Sequence, residues 1–434
     1  EMAGAPHRVF SLFSDADMTF PDALDSEGKA HQITQGTYVA CLKSDDRTLR
    51  KNAFDSYYSV YANYKNSLAG MLAAQVKQLE FFAKARNYPT AQEASLDETE
   101  VPVSVYSNLI EAVHRNFDKM HRYMRLRKRL MGVDELHFYD IYTSLLPDVD
   151  VQIPYEQAKT TISEALTCLG PEYGALLQKG FDSRWIDVYE NVGKRSGAYS
   201  AGAQVHPFVL LNYTGTLDSQ FTLAHEMGHA LHSYLSNHTQ PTIYQDYVIF
   251  VAEVASTCNE ALLMQHLLKK TTDKRERAYL INYFLEQFRT TLYRQTMFAE
   301  FELRMAELSR QGQTLTADLL CEEYRKMNAA YYGSDIVLDE NIALEWARIP
   351  HFYYNYYVFQ YATGYSAAIA LSQRILAEGE PAVRDYLGFL SGGCSKTPIE
   401  LLRGAGVDMT TPQPVESALK LFGELLDEME ALLP

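Results

Sequence analysis

His225-Glu226-Met227-Gly228-His229 sets two imidazoles four residues apart, with a carboxylate beside the first. On a helix that spacing puts both histidines on one face, one turn apart, so both rings can reach a single metal ion. The glutamate can then face a water at that metal and take its proton. Chemistry of this kind hydrolyses a polarised carbonyl. With twelve histidines in 434 residues, a chance match to the pattern is rare, roughly 0.02 per chain. Phe221-Thr222-Leu223-Ala224 before the motif and Ala230-Leu231 after it are apolar enough to bury the helix, and Asp218 or Ser219 is expected to cap its start.

A metal site of this type needs a third protein ligand and one position left open for water. One large class places a glycine and a third histidine after the motif; here those positions are His232 and Leu235, which excludes that class. The other common solution is a glutamate on the following helix. Tyr247 to Leu268 is a long apolar stretch holding two acids, Glu253 and Glu260, seven residues apart and hence on one helix face. Burying an unpaired acid within Phe250-Val251-Ala252-Glu253-Val254-Ala255 is costly, and a metal ion removes that cost. A carboxylate paired to an arginine or to a backbone cap is the other way out. Glu253 is therefore the expected third ligand. Glu260 is expected to orient a ligand imidazole through its other nitrogen.

Four runs together resemble oligoendopeptidase F, a thimet-oligopeptidase-like zinc peptidase family: Gly193-Lys194-Arg195-Ser196-Gly197-Ala198-Tyr199, Leu211-Asn212-Tyr213, Thr222 to His232, and Phe250-Val251-Ala252-Glu253. The resemblance runs from about residue 35 to the C-terminus. It implies one Zn2+ per chain on His225, His229 and Glu253, with Glu226 as general base. It also implies a multi-helix fold with a deep substrate channel, and a His with a tyrosine pair seven apart to stabilise the oxyanion. In this sequence His351 fits the first role, and Tyr354 and Tyr361 have the seven-residue separation. Family members carry a sizeable N-terminal helical lobe, so residues 1–150 are expected to be the helical remnant of that lobe and residues 151–434 the catalytic region. A homo-oligomer or a separate N-terminal fragment stays open as partner.

The elements that must position these groups are overwhelmingly helical. Thr48 to Ala85 carries apolar residues at helical spacing, among them Phe54, Tyr57, Tyr61, Leu68, Leu72 and Val76. Pro102 to Leu130 predicts a second long helix ending near Gly132, and Val151 to Leu177 a third, broken at Gly170-Pro171. Arg184 to Tyr213 changes character, mixing aromatic and β-branched residues with Gly193, Gly197, Gly202 and Pro207. This is the one strand-and-loop region expected, with Val209 to Tyr213 as a strand upstream of the metal helix. An exposed edge there can hold an extended peptide by backbone hydrogen bonds. From Asp218 onward the pattern is helical again. The fold class is mainly α, with a small β-sheet beside the metal helix.

Composition narrows the partners. A net charge of −16 argues against nucleic acid and anionic membranes, both of which need a basic face. No apolar run approaches the length of a membrane span and no signal-peptide pattern opens the chain. Five widely spaced cysteines form no CxxC pair, which excludes a disulfide scaffold and a cysteine zinc site and fits a cytoplasmic protein. The expected function is zinc-dependent hydrolysis of internal bonds in short peptides. A metallo-carboxypeptidase of similar helical build and a catalytically inactive peptide-binding relative are the alternatives.

Overall fold

The computed structural model describes residues 2–146 and 152–433. The division expected between residues 150 and 151 falls outside them. Among the described residues the N-terminal half holds α1 (Ala5–Leu12), α2 (Tyr38–Leu42), α3 (Arg47–Ala85), α4 (Ala91–Asp97), α5 (Val103–His114), α6 (Phe117–Met131), α7 (Tyr155–Ala165) and α8 (Gly170–Asp182). The remainder holds α9 (Leu217–Thr239), α10 (Ile249–Lys270), α11 (Lys274–Gln287), α12 (Arg294–Arg310), α13 (Ala317–Tyr332), α14 (Phe359–Glu378), α15 (Glu380–Leu390), α16 (Pro398–Gly404) and α17 (Gln413–Leu432). No described helix is long and apolar enough to cross a membrane.

The long helix is α3. Asp46 caps it, its side chain accepting from the backbone of Thr48 and Leu49, and Phe54, Tyr57, Tyr58, Tyr61, Leu72 and Val76 bury one face. The single helix expected over Pro102 to Leu130 is two. Asn116, at φ −122° and ψ 20°, separates α5 from α6; α5 packs on α12, α14 and α17 and α6 on α13 and α17, tertiary contacts that override continuous helical propensity. Gly132 ends α6 in the left-handed conformation that a C-terminal glycine favours. The break at Gly170-Pro171 is present, with a short 3-10 turn from Leu166 to Leu169 leading into α8.

The sheet beside the metal helix has three strands: β4 (Ile186–Asp187), β5 (Tyr199–Ala201) and β6 (Phe208–Leu210), in the order β4-β6-β5. β4 runs parallel to β6, and β5 antiparallel, with Tyr199 opposite Leu210 and Ala201 opposite Phe208. β6 starts one residue earlier than predicted and stops at Leu210; residues 211–213 run on as loop toward α9. Two small pairings went unpredicted: β1 (Ala23–Leu24) with β2 (Ala30–His31), and β3 (Leu136–His137) with β7 (Ile336–Val337). Two-residue strands leave no alternation to detect.

The site is carried by α10, which is wedged between α9 and α14. Val254, Ala255, Cys258, Leu262 and Leu263 make its core face fully buried. Gly228 lets α9 and α10 approach closely: a Cβ there would sit 2.5 Å from Ser256 Cα and 2.8 Å from the Ala255 carbonyl. Asn259 fastens the pair, donating to the Ala224 carbonyl at 3.1 Å while accepting from Tyr173 Oη at 2.9 Å.

Candidate metal centre

Thr216, not Asp218 or Ser219, caps the metal helix; its hydroxyl accepts from the Ser219 amide at 3.2 Å. Thr216 holds the extended backbone that a cap position needs, while Asp218 and Ser219 already lie inside the helix. Two turns on, His225 and His229 project from one face with their Nε2 atoms 3.1 Å apart. Glu253, from the facing turn of α10, brings Oε2 to 3.3 Å from His225 Nε2 and 3.5 Å from His229 Nε2. The three atoms form a nearly equilateral triangle. Tetrahedral ligands about 2.1 Å from a zinc ion stand about 3.4 Å from one another, so the donor set fits that ion without rearrangement. Among the described residues this is the one such group of His, Cys, Asp or Glu.

A second layer holds the triangle. Glu260 Oε1 bonds His225 Nδ1, which leaves Nε2 as the free lone pair for a metal. Gln287 in turn donates to Glu260 Oε2 at 2.9 Å. Ser256 Oγ lies 3.3 Å from Glu253 Oε2. Electrostatics point the same way. Burial works against a charged His225, yet Glu260 and Glu253 outweigh it and raise its pKa to about 10. Burial also opposes ionisation of Glu253, but hydrogen bonds from His225 and His229 hold its carboxyl far below the usual range. Two carboxylates around one imidazole pair demand a positive charge, and a divalent ion supplies it.

Glu226 is different in kind. It is buried, its Oε2 has no hydrogen-bond partner, and burial raises its pKa. A carboxylate oxygen left free beside a metal triangle can accept a proton from water.

Across the triangle lies a cavity of about 240 Å³ lined by His225, Glu253, Glu260, Gln287, Tyr361 and Tyr365, among others. The backbone between α11 and α12 is π-helical over Phe288–Tyr293; this widened turn follows Gln287 and puts Thr291 on the cavity wall. A second recess, about 270 Å³, runs between Gly197-Ala198 and Asn212 on one side and Thr222 of α9 on the other. Asn212 braces it by donating to the Arg195 and Gly197 carbonyls.

A model of peptidase family M3 matches residues 40–421. The chain belongs to peptidase family M3. Oligopeptidase PepF of Bacillus subtilis (strain 168) is 49% identical over 434 residues, all of this chain and 65% of that protein, so the chain spans just under two thirds of that relative's length. Oligoendopeptidase-F from Enterococcus faecium has a crystal structure that superposes with a TM-score of 0.84 at 40% identity, covering 100% of this chain and 72% of that one. A solved structure from Chlamydophila abortus gives a TM-score of 0.94 at 37% identity, covering 100% and 73%. The mainly helical architecture is thus that of the oligoendopeptidase F structures.

The M3 chain gathers a ring cluster that reaches the cavity wall through Tyr361. His351 sits in the 3-10 turn Pro350–Tyr353, with Tyr354 at 5.3 Å, Tyr361 at 5.9 Å and Tyr357 at 6.2 Å between ring centroids. Burial lowers the His351 pKa, so its ring stays neutral at pH 7. Tyr361 shares the cavity wall with Glu253 and meets Tyr357 edge-on, 5.3 Å between ring centroids. Tyr354 is 42% exposed and packs against His7; it is absent from the lining of the 240 Å³ cavity. Sequence reasoning missed Tyr357, Tyr365 and Gln287. Tyr365 is buried, with no partner for its hydroxyl. The spacing of four from Tyr361 to Tyr365, both on α14, is the helical-face signal that would have found Tyr365; Tyr357 precedes that helix. Gln287 carried no such signal, since only the fold brings α11 to Glu260.

Proposed function

We propose that this chain is a zinc-dependent endopeptidase acting on internal bonds of short peptides. The single observation that carries the reading is the triangle of His225, His229 and Glu253, backed by Glu260, with a free carboxylate oxygen of Glu226 beside it. Names of relatives such as oligopeptidase and oligoendopeptidase support the substrate class.

When bound, zinc polarises the scissile carbonyl and lowers the pKa of a water toward ~7. Glu226 Oε2 accepts the proton that this water loses as its oxygen bonds to the carbonyl carbon. The C–N bond then breaks, and Glu226 returns the proton to the leaving amine. Negative charge develops on the former carbonyl oxygen, where Tyr361 Oη and a His351 N–H act as donors. Tyr354 is the other tyrosine of the pair in this reading. The recess between Gly197-Ala198 and Thr222 lies just ahead of β5 in the chain, an edge strand that can pair with an extended peptide. Helical bulk around these recesses walls a channel that admits peptides and excludes folded proteins. Five unpaired, scattered cysteines accord with the cytoplasm as the compartment.

The test uses internally quenched peptides blocked at both ends. An endopeptidase cuts them, chelation stops it, and added zinc restores it, with one zinc per chain by elemental analysis. Cleavage restricted to peptides with a free C-terminus would instead favour a carboxypeptidase, and stoichiometric zinc without any cleavage a binding protein.

A further inference from the structure

Between His351 and α14 the backbone does something rare. Asn355 and Tyr356 are consecutive and both left-handed, at φ 63° and 56°. Asparagine tolerates that region; a buried aromatic such as Tyr356 does not adopt it unless its surroundings impose it. Three polar side chains impose it. Glu302 Oε1 accepts from the Tyr356 amide at 2.7 Å, Ser95 Oγ donates to the Asn355 carbonyl at 2.7 Å, and Gln75 Nε2 donates to the Tyr353 carbonyl at 3.3 Å.

Glu302 is the most telling of the three. It lies on α12, 5% exposed, its carboxyl among Val76, Leu79, Met305, Phe352 and Tyr356. Its Oε2 has no partner. A carboxyl in an apolar nest with one hydrogen bond is worse for stability than a well-packed methionine or leucine would be. Burial pushes its pKa up to about 8, against the pull of the Tyr356 amide, in keeping with a neutral acid acting through its carbonyl oxygen.

We propose that Glu302 is a positioning residue: by accepting the Tyr356 N–H it holds the left-handed turn that sets His351 and Tyr357 against Tyr361, the ring that shares a cavity wall with His225 and Glu253. The inference rests on the peptidase reading above, since the placement matters only if these rings serve the reaction. Without the bond, residues 355–356 can relax toward ordinary backbone angles. The rings on either side of the turn then lose their mutual spacing of 5.9 to 6.3 Å.

Glu302→Gln keeps an acceptor oxygen, and Glu302→Met fills the same volume without one. Both are compared with wild type for kcat and KM on a blocked quenched peptide, zinc content, melting temperature and hydrogen exchange of the Tyr356 amide. Expected are a Gln variant close to wild type and a Met variant with kcat down about tenfold or more, KM little changed, zinc stoichiometric and melting temperature equal or higher. The Tyr356 amide should be protected in wild type and Gln, and exchange fast in Met. Unchanged kcat in Met, or a Gln variant as impaired as Met, overturns the proposal; so does a Met variant that loses zinc with its activity. If Met does not fold, Ser95→Ala loosens the same turn at Asn355, with the same expected split, and an unchanged kcat overturns. Wild-type protein without zinc or cleavage would sink the peptidase reading instead, and amide exchange would still decide the tether.

Discussion

His225 and Glu226 are neighbours in sequence with opposite surroundings. His225 is gripped by Glu260 and faces Glu253, whereas Glu226 keeps an oxygen with no partner. In the proposed mechanism that contrast gives metal holding to one and proton transfer to the other. Glu226→Gln is accordingly expected to retain zinc while losing activity by about 10²–10⁴-fold, because an amide accepts no proton; zinc analysis and turnover on the quenched peptide check it. Near-normal turnover would place the base elsewhere. Among the rings, Tyr361→Phe removes a hydroxyl on the cavity wall and should lower kcat by about 10²-fold with KM little changed. Tyr354→Phe, at an exposed position, should cost much less. Equal losses in the two variants would give Tyr354 a direct part.

At the scale of elements, the site depends on how closely α9 and α10 run. Gly228→Ala would drive a Cβ into the Ser256 backbone, where neither partner is a movable side chain. Overpacking of this kind costs about 1–3 kcal/mol, and here it also carries Glu253 away from the histidines. The expected result is a lower melting temperature together with weakened zinc affinity, read by calorimetry and metal titration; a stability loss with zinc affinity intact would separate the two. One helical turn further, His232 stacks on Tyr247 at 3.7 Å. Burial, then the nearby His229, lowers its pKa to about 3. Between about 6.5 and 3 the unfolded chain binds a proton at this residue that the folded chain does not, so stability falls as pH drops through that window. His232→Phe keeps the stack and should move the acid-unfolding midpoint to lower pH, followed by circular dichroism. An unchanged midpoint would show that other groups govern acid unfolding.

For the molecule as a whole, an ion on the triangle would join two helices and, through Glu260 and Gln287, a third. A ligand that binds only the folded chain stabilises it by about 2.7 kcal/mol at a hundred times its Kd. Chelation should therefore lower the melting temperature by a few degrees and zinc restore it. A chelator without effect on melting would mean that the triangle is rigid without the ion and independent of it. The walled-channel reading adds an expectation about size: a nonapeptide should be cleaved far faster than casein, and equal rates would argue for an open cleft.

Local pattern singled out the candidate metal residues, because His225 and His229 sit one turn apart and Glu253 is an acid in an apolar run; helical periodicity foretold α3 and the break before α8, and the change to aromatic and β-branched residues foretold the sheet ahead of α9. Each of those inferences uses residues within a few turns of one another. What only tertiary structure decided depends on contacts between distant segments. Thr216 took the cap because its backbone is extended where Asp218 is already helical. Asn116 divided a run that reads as one helix, and its two halves pack on partly different partners, α12 and α14 for the first and α13 for the second. Gln287 reached Glu260 because α11 and the π-turn after it pass α10. Tyr361 and Tyr365, not Tyr354, reach the cavity wall because α14 turns that face toward Glu253. Glu302 meets the Tyr356 amide across 54 residues of chain. No local spacing encodes such a meeting; the cost of leaving a buried amide unpaired enforces it only once the chain has folded.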